Sequence, residues 1–266
     1  MKTKTFILLL FILLLIGTVS AQKTWEKPMQ KWNKEDTIKI LNLSPWVQNY
    51  QSIENLTSID KQAISQEQSN LSIRGLPTAG NSSSNNNQPT NVSVPVIYIR
   101  LYSALPVRQA LVRLQQIEAG YEKMDTEKRT QFDNAMKTSL ECPLCQNYYI
   151  VTMAKAVKSN DKEVEDGLFQ TMKNEQMKGN VWLLNDKGDK LELAQFMPPK
   201  SSADFAYFFF KRKDANGNSF LTPESQSFKF AFNGAFLGSS NPYSKFLPPN
   251  FEFKISSLLM NGNLIF

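Results

Sequence analysis

Cys142 and Cys145 are the only cysteines of the 266-residue chain and stand three apart in the segment CPLC. Two thiols at that spacing can close a small disulfide, stay free, exchange with other thiols or offer two ligands to a metal. The sequence contains no histidine, which excludes Ser/His/Asp and Cys/His nucleophile arrangements, the usual catalytic zinc sites and an imidazole base near neutral pH. It also leaves the pair without a further Cys or His to complete a metal site. A disulfide between Cys142 and Cys145 is the expected state in an exported chain, where closing so short a loop contributes about 2 kcal/mol. No residue is assigned a catalytic, cofactor-binding or metal-binding role, and no cofactor is expected.

The remaining motifs are weaker. CPxC resembles the redox motif of thioredoxin-like proteins, whose reactive thiolate gains from a helix N-terminus. Here a helix is expected to end near Leu140, so the pair faces the negative end of a helix dipole instead. Residues 214–224, DANGNSFLTPE, are similar to an EF-hand calcium loop in placing Asp214, Asn216 and Asn218 at alternating oxygen positions. Ser219 stands where the sharp turn takes glycine, Ser225 stands where the last glutamate belongs, and the flanks read as strands. A bend at Asn216 and Gly217 is therefore expected. Ser58 with Lys61 and Ser159 with Lys162 match SxxK without the companion SDN and KTG motifs. Lys211, Arg212 and Lys213 are expected at the solvated end of a strand.

The elements that must position these residues follow from periodicity. Asn33 caps a helix carrying Ile38 and Leu41, and Ser44 with Pro45 predicts a second helix start. Residues 65–93 are Ser/Asn/Gln-rich with no aromatic residue, the composition of a disordered linker. Ile97, Ile99 and Leu101 alternate with Tyr98, Arg100 and Tyr102 as a half-buried strand does. Pro106 opens a helix with Ala110, Leu111, Leu114 and Ile117 on one stripe. Asp125 caps another, with Phe132, Ala135, Met136 and Leu140 facing inward. A strand is predicted over 147–157, and Asn160 with Glu163 starts a third helix. Residues 181–185 and 191–197 form a hairpin, 205–210 a strand covered on both faces, and Phe228, Phe230 and Phe232 one side of another strand. Phe266 ends a terminal hairpin that turns at Asn261 and Gly262. The fold class is α+β, with helices packed on one face of a largely antiparallel β-sheet and a short helical N-terminal arm.

Residues 1–21 read as a signal peptide. Lys2 and Lys4 precede an unbroken apolar run over 6–16, and Gly17, Val19 and Ala21 lead to a cut after Ala21. Eleven apolar residues fall short of the about 20 that span a bilayer. No transmembrane span remains after cleavage. The organisation is then signal peptide over 1–21, Trp-rich helical arm over 22–64, linker over 65–93 and α+β domain over 94–266. The net charge of +6 loses two with the leader, and a charge that small gives no support to nucleic-acid binding. In a eukaryotic secretory route, Asn55, Asn70, Asn81 and Asn91 would sit in glycosylation sequons.

Residues 32–46, WNKEDTIKILNLSPW, with SALPVRQAL at 103–111, resemble an uncharacterised family of exported bacterial proteins in which a Trp, acidic-helix, SPW element follows the signal peptide. The resemblance implies export and an α+β body, and supplies no activity. The sequence thus reads as an exported, periplasmic or extracellular, non-enzymatic protein that binds or scaffolds an envelope or extracellular protein or polymer. The Trp and Ile/Leu face of the arm is expected to dock on the body, which makes Trp25, Trp32 and Trp46 packing residues first and candidate partner contacts second. The alternative is a thiol-disulfide oxidoreductase using the CPLC pair. Mass spectrometry of the exported protein is expected to find a mature chain beginning at Gln22; a chain in the envelope still beginning at Met1 would refute cleavage.

Overall fold

The computed structural model describes residues 23–51, 96–156, 169–201, 204–214, 216–240 and 247–266. The leader, the linker over 65–93, the helix expected from Asn160, both SxxK pairs and the four sequons lie outside them. The arm opens with two single-turn 3-10 segments, Thr24–Glu26 and Met29–Lys31, and continues into α1, Lys34–Leu43. Asn33 caps α1 as its sequence requires. Its side-chain oxygen accepts from the Asp36 N–H at 2.7 Å, and the Asp36 carboxylate accepts from the Asn33 N–H at 3.5 Å. Ile38, Ile40 and Leu41 are buried on the inward side.

The SPW element does not start a helix. The Val47 N–H donates to the Ser44 carbonyl at 3.0 Å to close a turn, and the chain leaves it as β1, Val47–Gln51. β1 pairs antiparallel with β2, Val96–Leu101, with Val47 opposite Arg100 and Gln51 opposite Val96. Ladder bonding to a strand far along the chain outweighs the local cap and proline signal, because propensity is a weak prior beside tertiary packing.

β3 (Tyr148–Ala156), β4 (Val181–Asn185), β5 (Lys190–Glu192), β6 (Gln195–Met197) and β7 (Ala206–Lys211) follow. The chain then forms β8 (Ser227–Phe232), β9 (Asn250–Lys254), β10 (Leu259–Met260) and β11 (Asn263–Leu264). The fold is α+β and, among the described residues, every strand pairing is antiparallel. The strands divide between a five-stranded sheet, β1-β2-β3-β7-β6, and a four-stranded sheet, β5-β4-β8-β9, with the terminal β10-β11 hairpin apart. The hairpin expected over 181–197 forms between β4 and β5. Its second arm then changes sheet at buried Leu193, and the Ala194 N–H donates to the Phe209 carbonyl.

Alternation sorts each strand into two faces. Ile99, Met153, Val151, Phe208 and Phe196 lie opposite one another on the inner face of the larger sheet. Phe230 and Phe232 of the smaller sheet meet Phe208 at 5.1 and 6.1 Å between ring centroids, and Phe210 meets Phe230 at 6.1 Å. These edge-on phenylalanines form the dry layer between the sheets. Phe266 is buried at its end, against Tyr149 and Phe228.

The outer face of β2, β3 and β7 is covered as well. Tyr98, Arg100 and Thr152 are all buried, so β2 is not the half-buried strand its alternation predicts. Leu41 and Asn42 at the end of α1 meet Arg100 there. α2, Leu105–Glu118, follows β2 and packs on α1; α3, Thr126–Glu141, follows α2, with the Asp125 carboxylate capping it at the Lys128 N–H. α2 buries Val107, Ala110 and Leu114, but α3 buries no residue fully. Phe132, Met136 and Leu140 are half-buried and Ala135 is exposed, so the inward face expected for α3 is a shallow contact.

Trp32, Ile40, Leu41 and Trp46 belong to the same buried cluster as the inner-face phenylalanines. The described part of the arm is thus a wall of the core. Trp46→Ala is expected to cost about 3–5 kcal/mol of unfolding free energy in denaturant titration; a loss within about 0.5 kcal/mol, as at a surface site, would show an arm merely resting on the body.

Candidate functional site

α3 ends at Cys142, whose φ of 45° puts a non-glycine residue in the left-handed region usual just past a helix. A 3-10 turn, Pro143–Gln146, follows and feeds β3. Cys142 and Cys145 are joined by a disulfide across this corner, with Cα atoms 5.3 Å apart. Both cysteines are buried and pack on Ile150 and Phe209 of the outer sheet face.

Two guanidinium groups hold the corner. Arg108 of α2 is buried; its Nε donates to the Leu140 carbonyl at 3.2 Å, and its Nη1 donates to the Tyr102 and Ser103 carbonyls and reaches Cys145 Sγ at 3.5 Å. Arg212, half-buried after β7, donates from Nε to the Cys145 carbonyl at 2.6 Å and lies over the Tyr149 ring at 4.6 Å. Arg212 is therefore not part of a solvated strand end, although Lys211 and Lys213 are exposed. Its planar fork matches a carbonyl and an aromatic face that the neighbouring lysines do not reach. Burial lowers the pKa of both arginines, and the charge of Arg212 lowers that of Arg108 further. Among the described residues, no carboxylate pairs with either guanidinium.

Beside the disulfide the outer face opens into a pocket of about 230 Å³, floored by Ile150, Tyr207 and Phe209 and walled by Thr138, Ser139 and Cys142. Tyr102 stands edge-on to Tyr207 at 5.6 Å, and Tyr207 stacks on Phe209 at 6.5 Å. Leu144 and Met197 form the rim and are 55% and 43% exposed. The lining is apolar and aromatic with two hydroxyls on the α3 side.

The tryptophans expected to contact a partner are placed elsewhere. Trp32 and Trp46 are 1% and 0% exposed, which leaves them no surface to offer a partner. Half-buried Trp25 stands edge-on to Trp46 at 5.4 Å. In the loop similar to an EF-hand, the Asp214 carboxylate accepts from the N–H groups of Asn216 and Asn218 and from the Asn218 side chain. Hydrogen bonds led by the Asn218 N–H hold its carboxyl below the usual range. A bridge between Lys213 and Ser219 makes this a turn between paired segments. Among the described residues, no group of three or more His, Cys, Asp or Glu side chains could hold a metal, and no helix is long and apolar enough to cross a membrane.

The sequence pattern assigns no role to Arg108 or to the aromatic pocket floor and misplaces Arg212 at a solvated strand end. Its one usable signal was an arginine spaced among the apolar residues of α2, which a solvated helix face explains equally well.

The pocket floor also fixes a pH response. Burial, with Tyr102 and Asp204 adding to it, pushes the Tyr207 phenol up to about 12, from an ordinary value of 10.0. Burial likewise raises Tyr98 and Tyr149. A raised phenol favours the folded state fully below its unfolded pKa, and that stability is lost as pH rises through the folded value. Between pH 10 and 12 the protein is therefore expected to lose stability. Phenolate absorbance should show a late step that Tyr207→Phe reduces and that Tyr98 and Tyr149 keep from vanishing; a single step with all phenols ionising near 10 would contradict the burial.

Compared with known proteins, the chain matches no protein family, no curated protein and no solved structure.

Proposed function

We propose that this is an exported, non-enzymatic protein that binds an envelope or extracellular partner by receiving one large apolar side chain in the pocket over the disulfide. The pocket's aromatic floor with its exposed Leu144 and Met197 rim carries this reading. Apolar residues exposed together around a concavity are a feature of interaction sites. At about 230 Å³ the space is below the roughly 300–1,000 Å³ of a drug-sized ligand site, and it suits an aromatic or branched side chain. The leader-like residues 1–21 and the resemblance to exported bacterial proteins support the location. The proposed contact moves from the tryptophans to the outer sheet face, because Trp32 and Trp46 are core.

The test uses p-cresol, a mimic of a tyrosine side chain, followed by NMR. Chemical-shift changes are expected to centre on Tyr102, Leu144, Met197 and Tyr207. Met197→Glu should weaken binding about tenfold, the equivalent of one desolvated apolar contact, while changing stability by no more than about 0.5 kcal/mol. Saturation shifts elsewhere, or none, would remove the pocket as the contact site.

A further inference from the structure

We infer that the Cys142–Cys145 disulfide is a stoichiometric thiol-exchange site, reduced once per chain and not turning over, which oxidises a small thiol-bearing group entering the apolar pocket, with Cys142 the sulfur attacked and Cys145 the leaving thiolate. The inference uses the pocket of the proposed binding site as the way in and does not depend on a protein partner.

The two sulfurs have different surroundings. Cys142 is part of the pocket wall and Cys145 is not. Cys145 Sγ instead lies 3.5 Å from Arg108 Nη1, and its own carbonyl receives Arg212. Exchange is faster and more favourable when the departing sulfur is the better stabilised thiolate. A cation beside a sulfur lowers its basicity, whereas the carbonyl end of a helix raises it. Cys142 follows the last residue of α3, so the helix end works against a thiolate there. Arg108 brings a buried positive charge that meets only neutral acceptors among the described residues. A thiolate on Cys145 would supply the missing counter-charge.

The balance is that of a two-electron exchange. An incoming thiolate attacks Cys142 Sγ and forms a mixed disulfide, and the Cys142–Cys145 bond breaks with its electron pair leaving on Cys145. A second thiolate of the same class attacks the incoming group's sulfur. It releases Cys142, which takes a proton from water. Two thiols become one disulfide and the cysteine pair is reduced once. Stabilising the Cys145 thiolate favours the reduced pair over the disulfide, so the site oxidises thiols rather than reducing disulfides.

The full oxidised chain is incubated with 2-mercaptoethanol, trapped with N-ethylmaleimide and mapped by peptide mass spectrometry. The expected product carries mercaptoethanol on Cys142 and maleimide on Cys145; an adduct on Cys145, or none while the protein stays folded, overturns the inference. Arg108→Gln is expected to slow the reaction about tenfold or more, and an unchanged rate in a folded variant also overturns it. Should that variant fail to fold, thiolate absorbance of the reduced native sequence decides. One of the two thiols should be ionised near pH 7, where an ordinary cysteine is only a few per cent thiolate; two ordinary thiols refute the role of Arg108. The p-cresol experiment reports on binding and this one on sulfur chemistry, so the two readings fail separately.

Discussion

Buried arginines bound to backbone carbonyls join parts of this chain that are distant in sequence. Arg100, on the outer face of β2, donates to the Leu41 carbonyl at 2.7 Å and to the Asn42 side chain at 3.2 Å, which ties the end of α1 to the sheet. Arg113 of α2 donates to the Trp32 carbonyl at 3.0 Å and meets Glu122 at 2.8 Å. Arg108 and Arg212 do the same for the disulfide corner. The acceptors at Leu41 and Leu140 belong to the last turns of α1 and α3, where carbonyls lack partners inside the helix and the dipole is negative. A guanidinium has five donors in a fixed fork, so one side chain can cap a helix and brace a neighbouring strand together. The desolvation cost is visible in Arg100, whose pKa burial lowers to about 10. The Tyr98 and Phe205 rings against it, at 4.8 and 5.7 Å, return part of that cost.

These contacts explain which parts of the fold were legible. Caps are local, so Asn33 and Asp125 announced α1 and α3 three residues ahead of their hydrogen bonds. Alternation is local too, and it located β2 and β8, while an unbroken apolar run marked β7. It could not say that the strands split into two sheets, because the switch at Leu193 depends on which neighbour each edge finds. The SPW element failed for the same reason. Its proline and serine favour a helix start, yet Val47–Gln51 has a free edge of β2 to pair with. Arginine on a strand or helix reads as solvated by default, and nothing within a few residues of Arg100 or Arg108 tells of a carbonyl that lies 59 or 32 positions away. The disulfide was legible from spacing, whereas its cationic setting was not.

The two faces of the five-stranded sheet have separate tasks. The inner face is spent on the phenylalanine layer, where Phe208 alone touches Phe169, Phe196, Phe230 and Phe232. No ligand could enter there without prising two sheets apart. On the outer face the end of α1 meets Arg100 and the end of α3 borders the pocket. α1 and α2 bury side chains deeply and share the core, while α3 packs with half-buried residues only. The gap under the end of α3 is the pocket, so the same weak amphipathicity that leaves α3 shallow leaves Tyr207 and Phe209 reachable.

The chemistry at that gap turns on which charge each sulfur feels. The end of a helix contributes roughly half a unit of negative charge, worth about 0.3–1 kcal/mol near its last turn. A full guanidinium charge at about 4 Å is worth about 4 kcal/mol at the effective dielectric of a protein surface, and more as water is excluded. Cys142 meets the first field and Cys145 the second. The larger effect therefore decides the direction in which the bond polarises, and it points toward Cys145. Arg108 cannot relax away from this position without giving up the Leu140, Tyr102 and Ser103 carbonyls it also binds. The contacts that keep α3 on the sheet are thus the ones that hold a positive charge against a single sulfur of the pair.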